Sequence, residues 1–293
     1  MSPVDQEVVR VSLDKQHNLL KQEIHGKIRI VDPWEVTKCS KDRFKMTLDT
    51  LRSPNDVPYT HSPKILAFYT TENVIKTECL KSLLRQIVDL KYPGLGCKFE
   101  ERFFQTPKSE DLVGRQPFSP YGQLGNLCRI EEVFHNIKEA MNPRNGGFDL
   151  KDYLAVFILS IESDIDDKRD GPPDAIPHDQ PNMMIYECFS GQYLAGVGRG
   201  PGVQKDLLAI AKEHGFKDKD GLAGNIEYGS VLSSKFSGPP PIDPKDWHGT
   251  VSDHPRSYYF NELCDEMLFA VKEKFSSGEI NFHLPDKDDV LLG

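Results

Sequence analysis

The stretch that decides the fold covers residues 65–76, Ile-Leu-Ala-Phe-Tyr-Thr-Thr-Glu-Asn-Val-Ile-Lys. Its first five residues form an apolar run with the length of a buried strand. Thr70 and Thr71 follow, and threonine is a favoured residue just before the first turn of a helix. Apolar residues then recur with the 3.6-residue period of an amphipathic helix, up to the helix-breaking Tyr-Pro-Gly at 92–94. The sequence therefore predicts a central strand, a threonine-rich turn and a helix.

Alternating strand and helix patterns continue through most of the chain. Strands are predicted at 98–105, 153–160, 182–189 and 193–197, and helices at 129–141, 203–214, 221–232 and 256–275. This mixture predicts one α/β (α+β mixed) domain built around a central sheet. We expect that domain to occupy residues 59–276. An N-terminal extension of unknown role would precede it at 1–58, with a helix near 8–24 and a short strand at 27–31. A flexible polar tail would follow it at 277–293.

The composition limits the function classes. A formal net charge of −9 argues against a nucleic-acid-binding surface, because neutralising a phosphate backbone requires clustered Lys and Arg. No apolar run approaches the ~20 residues of a membrane span, and charges occupy the N-terminal segment where a signal peptide needs an apolar stretch. We expect a cytoplasmic protein. The six cysteines lack CxxC spacing, so we expect reduced and mostly buried thiols, neither cross-linked nor metal-binding.

The start of the helix after the first strand is a candidate phosphate site. Unpaired backbone N–H groups and a partial positive charge make a helix N-terminus attractive to anions. Thr70, Thr71 and Asn73 would add hydrogen bonds, and Lys76 lies close enough in the first turn to reach a phosphate. The alternative is an ordinary helix cap followed by a solvated lysine.

An acidic group follows the apolar run at 153–160 and is a candidate metal site. Glu162, Asp164 and Asp166 would share one side of an extended chain, because alternate residues of a strand face the same way. Carboxylates at a strand end suit Mg²⁺, which combines one or two of them with phosphate oxygens. The alternative is a solvated acidic turn, which we expect for residues 166–170.

A third constellation is Asp-Trp-His-Gly at 246–249, followed by Arg256 at the start of the last predicted helix. The planar guanidinium of Arg256 could hold a phosphate or a base edge. His248 could act as an acid or base near neutral pH, but a histidine beside a tryptophan more often has a structural role.

The order of these pieces resembles the ITPase-like, noncanonical purine NTP phosphatase family. Residues 65–76 resemble its strand–TxNxxK–helix opening, and Gln-Pro-Phe at 116–118 with Gly125 and Arg129 resembles its QP…G…R segment. Ile-Glu-Ser at 161–163 resembles its acidic element. Asp-Trp-His at 246–248 with Arg256 is most similar to the subgroup formed by the C-terminal domain of the animal proline-rich coiled-coil proteins.

The resemblance implies a curved mixed sheet flanked by helices, a nucleotide cleft and a homodimer. In enzymatic members Mg²⁺ assists phosphate removal from inosine or xanthosine triphosphate. For this chain we expect Glu162 and Lys76 to act in catalysis, and Glu162, with Asp164 or Asp166, to hold the metal. The family's glycine after the acidic residue is Asp164 here, and residues 167–181 and 236–246 resemble insertions beside the cleft. The animal subgroup is associated with the Golgi and with protein kinase A regulation. Two functions thus stay open: purine nucleotide binding with weak Mg²⁺-dependent hydrolysis, and a non-enzymatic protein-interaction module.

Overall fold

The computed structural model describes residues 23–39, 63–140, 153–169, 171–236 and 241–282, without the side chains of 108–110, 138 and 140. The predicted helix near 8–24 lies almost wholly outside the described residues. The strands are β1 Ile24–His25, β2 Arg29–Val31, β3 Lys64–Tyr69, β4 Lys98–Phe103, β5 Gln116–Pro117, β6 Tyr153–Asp166, β7 His178–Glu187, β8 Tyr193–Val197, β9 Gly200–Pro201 and β10 Ala223–Gly224. The helices are α1 Pro33–Thr37, α2 Val74–Lys91, α3 Pro107–Val113, α4 Tyr121–Ala140, α5 Lys205–Glu213, α6 Tyr228–Lys235, α7 His248–Ser252 and α8 Arg256–Ser277.

A six-stranded mixed sheet forms the centre of the molecule, in the order β2-β8-β7-β6-β3-β4. Strand β3 runs parallel to both β4 and β6, whereas β7, β8 and β2 continue the sheet in antiparallel fashion. The predicted mixed α/β class and the interior position of β3 are confirmed. Because the carboxyl end of β3 pairs with Leu159 in the middle of β6, the residues after Tyr69 lie close to the part of β6 that contains Glu162.

Both faces of the sheet are covered, which explains the unbroken apolar run in β3. Ile65, Ala67 and Tyr69 pack under α2 and α8 on one face. Leu66 and Phe68 pack under α4 and α1 on the other. A third cluster of α5, α6 and α7 surrounds Phe118, Ile165 and Trp247 beyond the end of β6. None of the helices in the described part of the chain is long and apolar enough to cross a bilayer.

The acidic residues lie within β6 and do not follow it, contrary to the predicted end at 160. Asp164 is completely buried, and its Oδ2 accepts a hydrogen bond from the backbone N of Gly122 at 2.9 Å. The predicted solvated turn at 166–170 is also wrong at Asp167, whose side chain is only 4% exposed between Arg169 and Lys212. Strand β6 continues because β7 pairs with it along its whole acidic half.

The second long helix, α4, begins at Tyr121 and not at the predicted residue 129. Gly122 and Gly125 in its first turns resemble loop residues in the sequence, but a close tertiary contact requires glycine at 122, whereas a Cβ at 125 would make only ordinary van der Waals contact. A Cβ on Gly122 would lie 2.4 Å from Asn182 Nδ2, and one on Gly125 would lie 3.6 Å from Glu162 Cγ. Similarly, the segment predicted as one helix at 221–232 forms β10 and then α6.

Segments outside the predicted domain bounds of 59–276 also belong to the fold. Strand β2 pairs with β8 and forms one edge of the central sheet, so part of the expected extension at 1–58 is structural. At the other end, Ile280 and Phe282 are buried, and the Phe282 ring lies 5.7 Å from that of Phe157. The tail expected at 277–293 is therefore packed against the core as far as residue 282.

Candidate anion-binding site

Two cationic side chains from different helices meet one carboxylate of β6, just beyond the carboxyl end of β3. Lys76 Nζ, in the first turn of α2, lies 3.2 Å from Glu162 Oε1. Arg129 Nη2, on α4, lies 2.5 Å from Glu162 Oε2, and its Nη1 donates to Thr106 Oγ1 at 3.1 Å. Lys76 and Glu162 are each 12% exposed and Arg129 is 17% exposed. The structure thus brings together the first and second candidate regions of the sequence.

Arg256 completes this arrangement from the start of α8. Its Nη2 donates to Ser163 Oγ at 3.0 Å, next to Glu162 in the chain, and its Nη1 donates to the carbonyl oxygen of Lys245 at 2.8 Å. The backbone N of Arg256 donates to Asp246 Oδ1 at 2.9 Å, which fixes the start of the helix. We call Lys76, Arg129 and Arg256, with Glu162 between them, the cationic cluster.

The cationic cluster has more positive than negative charge. Burial alone would raise the pKa of Glu162, but Lys76 and Arg129 outweigh burial and lower it to about 2. Burial lowers the pKa of Lys76, Glu162 opposes that effect, and Arg256 and Arg129 reinforce it. The two partners respond differently because Glu162 faces two cations, whereas Lys76 faces one carboxylate and two like charges.

Two guanidinium groups of the cluster keep unused donors. The Nε atoms of Arg129 and Arg256 are buried and have no hydrogen-bond partner among the described residues. A buried donor without a partner is costly, and an anion supplies the acceptor that it lacks. Sequence analysis identified Arg129 only through the resemblance, because nothing in its local pattern shows that it reaches Glu162.

The polar residues before α2 are engaged within the protein. Asn73 caps the helix, with its Oδ1 accepting from the backbone N of Lys76 at 3.2 Å, and Thr71 Oγ1 accepts from the N of Asn73 at the same distance. Thr70 is buried, and its hydroxyl donates to Ser160 Oγ at 3.0 Å. These contacts match the helix-cap alternative for Thr71 and Asn73, whereas Lys76 is paired and not solvated.

The three carboxylates of the predicted magnesium site have separate partners. Glu162 pairs with Lys76 and Arg129, Asp164 accepts from the Gly122 backbone, and Asp166 pairs with Lys168. Burial raises the pKa of Asp164 to about 7, so its carboxyl group is protonated over a wider pH range than that of an ordinary aspartate. No group of three or more His, Cys, Asp or Glu among the described residues is placed to hold a metal. The magnesium site therefore stays a prediction, and each of these carboxylates has a partner within the protein.

His248 is held as a structural residue. Its Nε2 lies 2.9 Å from Asp179 Oδ2, and its ring stacks on Trp247 with centroids 4.3 Å apart. Burial lowers the pKa of His248, so the neutral ring is favoured. Ser252, one turn later, bonds to the backbone oxygen of His248 and not to its ring. The contacts agree with the structural role that the sequence pattern favoured.

A cavity of about 710 Å³ lies elsewhere, between α1, the start of α4 and residues 166–169 and 171. Lys76, Arg129 and Arg256 do not line it. Four of the charged side chains in its wall form ion pairs, Asp166 with Lys168 and Asp167 with Arg169. We therefore locate the candidate site at the cationic cluster, where donors lack partners, and not at this cavity.

Comparison with known proteins does not identify a family. No family model matches the chain, and no curated protein matches it. Among solved structures, it is similar to a PelC variant dodecamer from Paraburkholderia phytofirmans, at 11% identity over 60% of this chain and 83% of that one, with a TM-score of 0.18. A TM-score this low carries no argument about fold or function.

Proposed function

We propose that this protein binds the phosphate groups of a purine nucleotide at the cationic cluster. The observation that carries the proposal is the set of cations around one carboxylate: Lys76 and Arg129 share Glu162, and Arg256 lies beside them on Ser163. The Nε donors of the two arginines have no partner in the described part of the chain. Arginine binds phosphate through parallel N–H donors, and such charge-assisted hydrogen bonds are about twice as strong as neutral ones.

Each cation would have a distinct role. Lys76 supplies a point charge in the first turn of α2, where the helix dipole also favours an anion. Arg129 and Arg256 approach from α4 and α8 and supply planar donor groups. Glu162 holds the cations in place without ligand and competes with phosphate for them. The purine part of the ligand and the ITPase-like fold rest on the sequence resemblance.

Hydrolysis is the weaker part of the proposal. The carboxylates expected to hold Mg²⁺ are bonded to other groups of the protein. We propose that binding exceeds catalysis, with at most slow release of phosphate from inosine or xanthosine triphosphate. The second candidate function is a non-enzymatic regulatory module with a protein partner, which the absence of purine nucleotide binding at millimolar concentration would favour.

Calorimetric titration with inosine triphosphate, with and without Mg²⁺, tests the proposal. We expect a submillimolar dissociation constant for the wild type. Arg129→Gln should weaken binding ~10–100-fold, because a hydrogen bond to a charged group contributes ~1.5–3 kcal/mol. Arg85→Gln is the matched control, because Arg85 forms an exposed ion pair with Glu101 away from the cluster.

Two results would contradict the proposal. One is the absence of binding heat at millimolar nucleotide, and the other is an equal loss of affinity in Arg85→Gln and Arg129→Gln. If Arg129→Gln does not fold, Arg256→Gln replaces it, because Arg256 is partly exposed and makes no direct ion pair with Glu162. Circular dichroism before each titration separates a loss of fold from a loss of affinity.

A further inference from the structure

Two buried cysteines from distant parts of the chain lie side by side between α2 and α8. The Sγ atoms of Cys79 and Cys264 are 2.6 Å apart, across 185 residues of sequence. The length of a disulfide bond is ~2.05 Å. Cys79 is 5% exposed and Cys264 is 6% exposed. The cysteine spacing gave no sign of this pairing, which depends on how the two helices pack.

The surroundings of this pair are apolar. Cys264 Sγ lies 3.9 Å from Met183 Sδ and 3.7 Å from the carbonyl oxygen of Cys79. The contact with Cys79, together with burial, raises the pKa of the Cys264 thiol well above its usual range. Cys188 is also buried, but it packs in the core on the opposite face of the sheet. The geometry therefore favours one partner for each of these two thiols.

We propose that Cys79 and Cys264 form a reversible disulfide bond that joins α2 to α8. The pair is placed for bond formation without any separation of the helices, since their sulfur atoms are already in contact. The proposal does not depend on nucleotide binding. The proposed modification site lies on the side of α2 that faces the core.

A peroxide is the oxidant that fits a buried pair, because it is small and carries no charge. One thiolate attacks a peroxide oxygen, which breaks the O–O bond and gives a sulfenic acid and water. The second thiol then attacks the sulfenic sulfur, the S–S bond forms, and a second water leaves. In total, two thiols lose two electrons and two protons, and hydrogen peroxide is reduced to two water molecules. A raised thiol pKa makes the first step slow.

The bond would connect two of the three helices that carry the cations of the candidate site. Cys79 lies three residues after Lys76 on α2, and Cys264 lies eight residues after Arg256 on α8. A cross-link at this position restricts the unfolded chain strongly, because the loop that it closes is long. We therefore expect oxidation to raise the unfolding temperature by ~5–15 °C.

The experiment uses the full chain treated with hydrogen peroxide, with a portion then reduced by dithiothreitol. Free thiols are blocked with an alkylating agent under denaturing conditions, and digestion without reductant is followed by mass spectrometry. We expect a linked peptide pair containing Cys79 and Cys264, lighter by two hydrogen atoms than the two free peptides. Dithiothreitol should remove both the link and the rise in unfolding temperature.

Cys79→Ala and Cys264→Ala should each abolish the link and the rise, whereas Cys188→Ala, which removes an equally buried thiol, should retain both. Alkylation of Cys79 and Cys264 in the oxidised wild type, or a link between other cysteines, would overturn the proposal. The peptide analysis needs only the wild-type chain, so it stays decisive if a variant does not fold.

Discussion

Replacing Glu162 with glutamine keeps the size of the side chain and removes the one carboxylate that Lys76 and Arg129 share. Both cations would then lie close together without a counterion. Arg256 is also near, because it donates to the hydroxyl of Ser163, whose backbone N donates to Glu162. We expect this single change to lower the stability of the free protein and to increase its affinity for phosphate. Opposite effects on stability and binding are what distinguish a ligand site from an ordinary buried ion pair.

The size of the stability loss follows from the pKa of Glu162, which falls from 4.5 to about 2 in the folded protein. At ~1.4 kcal/mol per pKa unit, the ionised carboxylate contributes roughly 3 kcal/mol at neutral pH. Because this pKa is lowered by folding, the contribution is present above pH 4.5 and is lost as the pH falls towards 2. The difference between wild type and Glu162→Gln should shrink over the same acidic range.

Urea unfolding at pH 7 and thermal unfolding with increasing pyrophosphate measure the two effects. Without ligand, Glu162→Gln should lose ~2–4 kcal/mol, or roughly 5–15 °C in unfolding temperature. Pyrophosphate should raise the unfolding temperature of the variant more than that of the wild type, because it replaces the missing counterion.

Glu262→Gln is the control, since Glu262 pairs with Arg199 and Tyr258 nearer the surface. It should lose at most ~1 kcal/mol and show no enhanced response to pyrophosphate. The reasoning is refuted if Glu162→Gln is as stable as the wild type at pH 7, or if pyrophosphate does not stabilise it more than the wild type.

Three other predictions can be tested separately. Folding raises the pKa of Asp164 to about 7, so this residue lowers the free energy of unfolding as the pH rises from about 4 to 7. Asp164→Asn should remove that decline, measured by urea unfolding across this pH range. An unchanged pH profile would contradict the assignment. Phosphate release from inosine or xanthosine triphosphate should stay below ~1 s⁻¹ with or without Mg²⁺, and faster turnover that disappears in Glu162→Ala would make the protein an ordinary enzyme. The resemblance implies a homodimer, so light scattering at micromolar concentration should give twice the 33.2 kDa chain mass, and a monomer mass would count against it.

The sequence predicted the parts of the fold that rest on local pattern. Strand β3 and helix α2 were predicted close to their observed bounds, because the apolar run and the 3.6-residue period are strong there. The extension of β6 to Asp166 was missed, since an acidic strand becomes favourable only through its pairing with β7 and the Gly122 backbone. Strand β2 was separated from the domain because its partner β8 lies far along the chain.

The candidate site was predicted in part for the same reason. Lys76, Glu162 and Arg256 could be named because each lies at the end or start of a predicted element. Arg129 lies on α4 and shares Glu162 with Lys76. This contact could not be predicted, because the glycines near the start of α4 indicate a loop and not a helix. The side-chain bonds of Thr70 and Asp164 are likewise tertiary, and no spacing rule shows that these polar groups are already engaged.

The most direct measurement follows the arginine Nε–H resonances of ¹⁵N-labelled protein during a titration with inosine triphosphate. Proposed binding at the cationic cluster requires the unpaired Nε–H groups of Arg129 and Arg256 to gain an acceptor. We predict that these two resonances shift and saturate at submillimolar nucleotide, while that of Arg199, whose Nε donates to Glu262, stays in place. Unchanged Arg129 and Arg256 resonances at millimolar nucleotide would contradict the account.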